Sequence, residues 1–237
     1  MIRWDAPGPY EIAFSTRAGG VSEGPFESLN LTHGAAWWDF RDAEANVAEN
    51  RSRVCETIGA DPARLTVNIQ RHTSLVHRAR PGRLEIGDAL WTDEPKTPML
   101  ALGADCALIA LVRANGARPA AAVVHAGRMG ILAGVLEAAV GTLGGRVAAV
   151  IGPTIGPCCY EVGEDVAGPY RERFGAGIVS SGRLDLPTAA ERVLREAGCA
   201  SVERLDLCTS CRADLFFSYR RDGTPRGGHG VIASVAG

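Results

Sequence analysis

The sequence carries little net charge and lacks any long hydrophobic run. Its formal charge is -2 and its pI is about 6.2, so it offers no broad electrostatic attraction to nucleic acid or to an anionic membrane surface. No stretch approaches the length needed to cross a bilayer, and residues 1–14 lack the basic start and apolar core of a signal peptide. We therefore predict a cytoplasmic protein whose partner is a small molecule, with no nucleic acid and no membrane.

Internal repeats are also absent, and the seven cysteines are odd in number and irregularly spaced. A disulfide scaffold is therefore not expected, and reduced thiols, some of them metal ligands, fit the pattern better. Cys208 and Cys211 form a single CxxC, which needs further ligands such as Cys158 and Cys159 to complete a second metal site. We interpret these four cysteines as structural or packing thiols.

The length of 237 residues, 46% of them hydrophobic and 22% charged, suits one compact domain spanning residues 1–237. Three apolar side chains at helical spacing, Val47, Val54 and Ile58, predict an amphipathic helix over residues 41–58. Together with glycine and proline punctuation, the pattern indicates sheets with flanking helices. The other predicted elements are helices over residues 130–143 and 186–197 and strands over residues 65–69, 99–102, 107–112, 120–124, 147–151, 202–205 and 231–235.

Two histidines and one cysteine, His72, Cys106 and His125, each fall at or beside a predicted strand end. Two imidazoles and a thiolate satisfy three positions of a tetrahedral Zn²⁺ and leave the fourth open for water, which suits catalysis. The same ligands suit copper. A metal-free alternative makes Cys106 a nucleophile with His125 as its base. Taken singly, each residue is more often a buried thiol or a polar strand terminus.

Two glycine-containing turns place arginines where an anion can bind. Residues 125–130 lead from a strand into a helix, so free backbone N–H groups and Arg128 can face a phosphate. Residues 14–21 place Arg17 in a loop after a strand, where its guanidinium can clamp an anionic group. The alternatives are an ordinary tight connection at the first turn and a solvated arginine at the second.

Six fragments, taken in this order, carry a resemblance that covers nearly the whole chain. They are FSTRAGGVSEGPFESLNL, Gln70-x-His72, GADC ending at Cys106, HAG beginning at His125, IGPTIGPCCYEVG and FFSYRRDG. Together they resemble the YfiH-like proteins, a family described as purine nucleoside phosphorylases or as multicopper polyphenol oxidase (laccase) domain proteins.

The resemblance implies a single α+β domain with mixed β-sheets and flanking helices, and a Zn²⁺ held by His72, Cys106 and His125. It also implies phosphorolysis of adenosine, inosine, guanosine and S-methyl-5′-thioadenosine, with adenosine deamination as a companion activity. Copper-dependent oxidation of phenols is an alternative, although five histidines are few for a full multicopper site. A cysteine hydrolase that corrects peptidoglycan precursors is another. No particular oligomeric state is implied.

Within this resemblance, Arg17 is the leading candidate for an anion or ribose contact, and Asn30 is a second. Asp88 is expected to orient a ligand or move a proton, which makes it a third catalytic candidate beside Cys106 and His125.

The chain departs from the family's usual pattern at three places. Arg128 and Met129 follow HAG where the family has Trp and then a basic residue, Ala107 replaces a frequent proline, and residues 223–230 differ from the usual Thr-Gly-Arg segment. All three metal ligands are nevertheless present, so we expect the site to bind metal.

Overall fold

In the computed structural model, which describes residues 1–34, 40–114 and 118–237, the chain forms short strands and six α-helices. Within those ranges, no helix is both long enough and apolar enough to cross a membrane. The helices are α1 (Glu44–Thr57), α2 (Arg128–Ala133), α3 (Val135–Leu143), α4 (Glu164–Phe174), α5 (Leu186–Glu196) and α6 (Tyr219–Asp222). The strands are β1 (Ile2–Arg3), β2 (Tyr10–Phe14), β3 (Thr66–Ile69), β4 (Val76–Arg78), β5 (Leu84–Ile86), β6 (Ala89–Thr92), β7 (Met99–Gly103), β8 (Ala107–Arg113), β9 (Ala121–Ala126), β10 (Val147–Ile151), β11 (Val179–Ser180), β12 (Arg183–Leu184), β13 (Ser201–Arg204) and β14 (His229–Val235).

These strands form two six-stranded sheets and a small hairpin of β11 and β12. The first sheet has the order β1-β2-β14-β7-β3-β5 and the second has the order β13-β10-β8-β9-β6-β4. Both sheets are mixed, because β3 runs parallel to β7 whereas β14 is antiparallel to it, and β13 runs parallel to β10 whereas β8 is antiparallel to it. The expected α+β fold with mixed sheets and flanking helices is confirmed.

The central strands are buried on both faces, because the two sheets pack against each other and helices cover their outer faces. On β8, Leu108 and Ala110 join the core between the sheets, whereas Ile109 and Leu111 pack in the core that contains residues of α3 and α5. Helix α1 contributes to a third core on the outer face of the first sheet. Burial on both faces explains why these strands are continuous apolar runs with no polar alternation.

Three candidate site residues lie at the same end of three neighbouring strands of the second sheet, β8, β9 and β6. Cys106 directly precedes β8, His125 lies near the end of β9, and Asp88 directly precedes β6. Leu108 pairs with His125 across β8 and β9, and the His125 N–H donates to the Asp88 carbonyl oxygen at 2.7 Å. Antiparallel pairing therefore brings three residues that are far apart in sequence to one end of the sheet.

The prediction of a single helix over residues 130–143 is wrong, because the structure has two helices there, α2 and α3. Helix α2 ends at Gly134, whose φ of 90° is left-handed, and α3 begins on the next residue. Glycine adopts this conformation at little cost and so serves as a helix terminus. The break separates a short helix beside the site from a longer one in the core.

Candidate metal centre

The three predicted ligands lie together. One ligand atom from each of His72, Cys106 and His125 can be chosen so that all three fall within 4.8 Å of one another. The Cys106 Sγ is 3.9 Å from the His72 Nε2, and the two imidazole rings meet edge to face with centroids 5.0 Å apart. His125 is buried, Cys106 is half-buried and His72 is exposed, so the group is open to solvent on the His72 side.

Asp88 holds two of these ligands in place. Its fully buried carboxylate accepts from the His125 Nδ1 at 2.9 Å and from the His72 backbone N–H at 2.9 Å. It also accepts from the backbone N–H groups of Arg71 and Thr73 and from the Thr73 hydroxyl. Because Nδ1 of His125 is committed to Asp88, Nε2 is the nitrogen that faces a metal, the usual carboxylate–histidine–metal arrangement. These hydrogen bonds also support the left-handed backbone of His72, whose φ is 58°.

Gly127 leaves the space that the ligands occupy. A Cβ at this position would lie 2.7 Å from the His72 Cδ2 and 2.8 Å from the Cys106 Sγ. Both distances are shorter than a van der Waals contact, so any side chain here would displace a ligand. The glycine of the HAG turn is therefore required by the centre itself, beyond helping the turn to pack.

Charge in the site is shared between Cys106 and His125. Desolvation alone would raise the pKa of the Cys106 thiol, but the imidazoles of His125 and His72 lower it to about 6. Desolvation alone would lower the pKa of His125, but Cys106 and Asp88 raise it to about 9. The thiolate form of Cys106 and the protonated form of His125 therefore stabilise each other in the metal-free protein.

The donor set suits a metal ion. Thiolate and imidazole are ligands of Zn²⁺ and copper, and three of them leave a coordination position open. Cys106 is already poised as the anion that binds metal, and the Asp88 hydrogen bond fixes the tautomer of His125. The residues at this centre can therefore hold a metal.

Two arginines and a tyrosine, Arg128, Arg220 and Tyr160, flank the centre and form a wall beside it. Arg128 is exposed, and the Tyr160 hydroxyl raises the pKa of its guanidinium, to which the negative charge of Cys106 adds. Arg220 stacks over the same Tyr160 ring at 5.2 Å from its centroid. The structure therefore brings Arg128 to the centre, together with Tyr160 and Arg220.

Arg17 and Asn30 use their polar groups within the protein. The Arg17 guanidinium donates to the carbonyl oxygens of Glu27 and Ala213 and lies over the Phe217 ring. Asn30 is fully buried, and its amide makes four hydrogen bonds, which join Thr32, Asp42 and Gly228. Both residues shape the loops beside residues 213–228, and a direct substrate contact by either one stays a prediction.

Sequence reasoning missed Tyr160 and Arg220 as neighbours of the centre. The motif GPCCYEVG and the motif SYRRDG contain them, but no spacing rule connects two irregular loops that follow different strands. Asp105 joins the two segments. Its carboxylate accepts from the Thr209 hydroxyl at 2.6 Å and from the Arg220 backbone N–H at 2.7 Å, and its carbonyl oxygen accepts from the Ile155 N–H at 2.9 Å. The residue before the metal ligand Cys106 thus anchors the wall.

Comparison with known proteins gives one family. The sequence model of the family described as multi-copper polyphenol oxidoreductase laccase matches residues 11–236. The chain is 40% identical to a Deinococcus radiodurans protein named purine nucleoside phosphorylase, over 91% of this chain and 85% of that one. It is 36% identical to purine nucleoside phosphorylase PA4543 of Pseudomonas aeruginosa, over 92% and 90% of the two chains.

Solved structures that resemble this chain over nearly its full length support the same family assignment. Protein NMB0706 of Neisseria meningitidis superposes with a TM-score of 0.88 at 29% identity and covers 100% of this chain and 99% of its own. YlmD from Geobacillus stearothermophilus superposes with a TM-score of 0.86 at 26% identity, over 98% and 93%. Since sequence and structural likeness both extend over nearly the full length, the chain belongs to the multi-copper polyphenol oxidoreductase laccase family, whose YfiH-like members it resembles.

Proposed function

We propose that this protein is a zinc-dependent purine nucleoside phosphorylase with adenosine deamination as a second activity. The proposed substrates are phosphate with adenosine, inosine, guanosine or S-methyl-5′-thioadenosine. The observation that carries the proposal is the placement of an exposed arginine, Arg128, beside a centre of two histidines and a cysteine. Relatives of matching length that are named purine nucleoside phosphorylase support it.

His72, Cys106 and His125 would hold the zinc, and Asp88 would keep His125 oriented. Zinc fits because it has no geometric preference from d electrons and commonly binds three protein ligands in catalytic sites. When bound, it supplies a Lewis acid. The exposed His72 side of the centre is the side from which substrate enters.

Arg128 would bind the phosphate. Phosphorolysis requires the anion to be held close to the ribose carbon that it attacks, and a fixed guanidinium can do so with two parallel hydrogen bonds. The Tyr160 hydroxyl and the charge of Cys106 raise the pKa of Arg128 and so favour the charged form that binds phosphate. In deamination, water instead adds at C6 of the purine and ammonia leaves, so the reacting carbon lies on the base and the glycosidic bond stays intact.

Product analysis tests the proposal. With adenosine and phosphate, the wild-type protein is expected to release adenine and ribose 1-phosphate, and without phosphate it is expected to release inosine. Cys106→Ala should reduce both rates at least about 1,000-fold, since one of three metal ligands is lost. Cys199→Ser is the control, because Cys199 is a cysteine that lies outside the group of His72, Cys106 and His125. Zinc binding without consumption of any nucleoside would contradict the substrate assignment.

Arg128→Met is expected to raise the KM for phosphate by about 10- to 100-fold, since a hydrogen bond to a charged group contributes about 1.5–3 kcal/mol. The rate of deamination without phosphate should change much less. Arg171→Met is the matched control, because Arg171 is a surface cation paired with Glu164. Equal losses of the two activities in Arg128→Met would contradict a phosphate-specific role.

A cysteine hydrolase is the second candidate, favoured by the lowered pKa of Cys106 beside the His125 imidazolium. An acyl-transfer enzyme of this kind, for example one acting on peptidoglycan precursors, needs a thiolate and a proton donor and no metal. Its activity should survive a chelator and be lost on alkylation of Cys106. Loss of activity on chelation, with recovery on adding zinc or copper, separates the metal-dependent functions from this one.

A further inference from the structure

A second cluster of thiols lies away from the histidine-containing centre. Cys158 and Cys159 come from the loop after β10, and Cys208 and Cys211 come from the CxxC after β13. Their four Sγ atoms all lie within 4.8 Å of one another, and Cys211 is 3.4 Å from both Cys158 and Cys159. Packing alone does not explain this grouping, because Cys158 and Cys211 are exposed.

We propose that Cys158, Cys159, Cys208 and Cys211 bind a structural Zn²⁺ as a closed Cys₄ site. In a tetrahedral site with a Zn–S length of about 2.3 Å, neighbouring sulfur atoms are about 3.8 Å apart. The two Sγ···Sγ distances of 3.4 Å are slightly shorter than this value, and no pair is farther apart than 4.8 Å, so small side-chain rotations are enough to reach it. The proposal is independent of the proposed activity, because it concerns none of the residues of the first centre.

The backbone around the cluster is arranged as a metal-binding turn. The Gly156 N–H donates to the Cys208 Sγ at 3.3 Å, the type of hydrogen bond that stabilises a thiolate ligand. The Arg212 N–H donates to the Cys208 carbonyl oxygen at 3.0 Å and closes the CxxC turn. Arg221 donates to the carbonyl oxygens of Thr209 and Ser210 and so holds that turn in place.

The segments that the cluster joins contain little regular structure of their own. Residues 152–160 and 205–218 lie outside the strands and α-helices, and much of the second segment is exposed. A metal cross-link between them adds a constraint to two segments that no strand or α-helix orders. An ion at this position would fix Thr209, which holds Asp105, and so would brace the loop that carries Cys106.

Metal content and metal coordination test the proposal. Purified wild-type protein, dialysed against a weak chelator, should hold about two zinc ions per chain, and Cys106→Ala should hold about one. X-ray absorption of the Cys106→Ala protein should show zinc surrounded by sulfur only. The double variant Cys208→Ser/Cys211→Ser should also hold about one zinc ion, with mixed nitrogen and sulfur ligands. Cys199→Ser should match the wild type.

The zinc content and zinc ligands of Cys106→Ala test the Cys₄ site even if Cys208→Ser/Cys211→Ser does not fold. A Cys106→Ala protein that is folded by circular dichroism and retains no zinc would overturn the proposal. So would a mass spectrum of the native wild-type protein in which these cysteines are joined as disulfides. Nitrogen or oxygen ligands at the remaining zinc of Cys106→Ala would overturn it as well, since the ion would then lie elsewhere.

Discussion

Gly127→Ala is expected to abolish tight metal binding while leaving the fold intact. The added methyl group would lie within 3 Å of both His72 and Cys106, and neither side chain can retreat without leaving the ligand geometry. The backbone of Gly127 has φ of -75° and ψ of 169°, which any residue adopts. Backbone strain is therefore not the cause, and the effect isolates the contact with the ligands. We expect metal affinity and kcat/KM each to fall on the order of 100-fold.

Gly141→Ala is the matched control for this substitution. Gly141 lies inside α3, and a Cβ there would meet no atom within 4 Å. Alanine should raise the free energy of unfolding by about 0.5–1 kcal/mol through its helix propensity. Zinc titration and thermal unfolding of both variants measure the two effects. If Gly127→Ala binds zinc with wild-type affinity, the described arrangement of His72 and Cys106 around Gly127 is wrong.

Apolar runs made the central strands predictable, because strands buried on both faces need no alternation of polar and apolar residues. Residues 147–151 were predicted with the observed bounds, and residues 107–112 fall one residue short of β8. Helix α4 escaped prediction because Pro169 lies inside it and much of its surface is charged. Short edge strands such as β4 and β5 carry too few residues to show a period.

The metal ligands were predictable from residue type and from position at strand ends, and the resemblance added Asp88. Which residues flank them was not predictable, because Tyr160 lies in an irregular loop and Arg220 lies in the one-turn helix α6. The position of both depends on tertiary contacts such as those of Asp105. From the sequence, the same four cysteines are a possible second metal site that we interpret as structural or packing thiols, because residue spacing alone does not bring the Cys₄ cluster together. Its two halves, residues 158–159 and 208–211, are separated by α4, α5 and three strands.

Asp88→Asn is expected to weaken metal binding by about 10- to 100-fold and to destabilise the metal-free protein by about 3 kcal/mol. One carboxylate oxygen accepts from the His125 Nδ1 and from the His72 N–H, and the other accepts from the N–H and hydroxyl of Thr73. An asparagine places its NH₂ group against donors in either orientation. One set of buried donors therefore loses its acceptor, and His125 no longer has the negatively charged carboxylate of residue 88 beside it. Isothermal titration with zinc and denaturant unfolding measure the two losses.

The free energy of unfolding as a function of pH shows how much of the stabilisation by Asp88 comes from its negative charge, since asparagine has nearly the same shape and no charge. Burial alone would raise the pKa of Asp88, but hydrogen bonds from His125 and Thr73 outweigh it and hold the pKa far below the ordinary value. The stabilisation is therefore fully present above the unfolded-state pKa of about 3.9 and is lost as pH falls towards the lower folded-state value. The stability gap between wild type and Asp88→Asn should therefore narrow below about pH 4. Because Asp88 also helps to raise the pKa of His125 to about 9, the gap should shrink again as pH rises from about 6.5 towards 9. Asp93→Asn, which removes only a surface ion pair with Arg78, should cost less than about 1 kcal/mol. A similar loss in both variants would mean that the buried carboxylate does not hold the ligands.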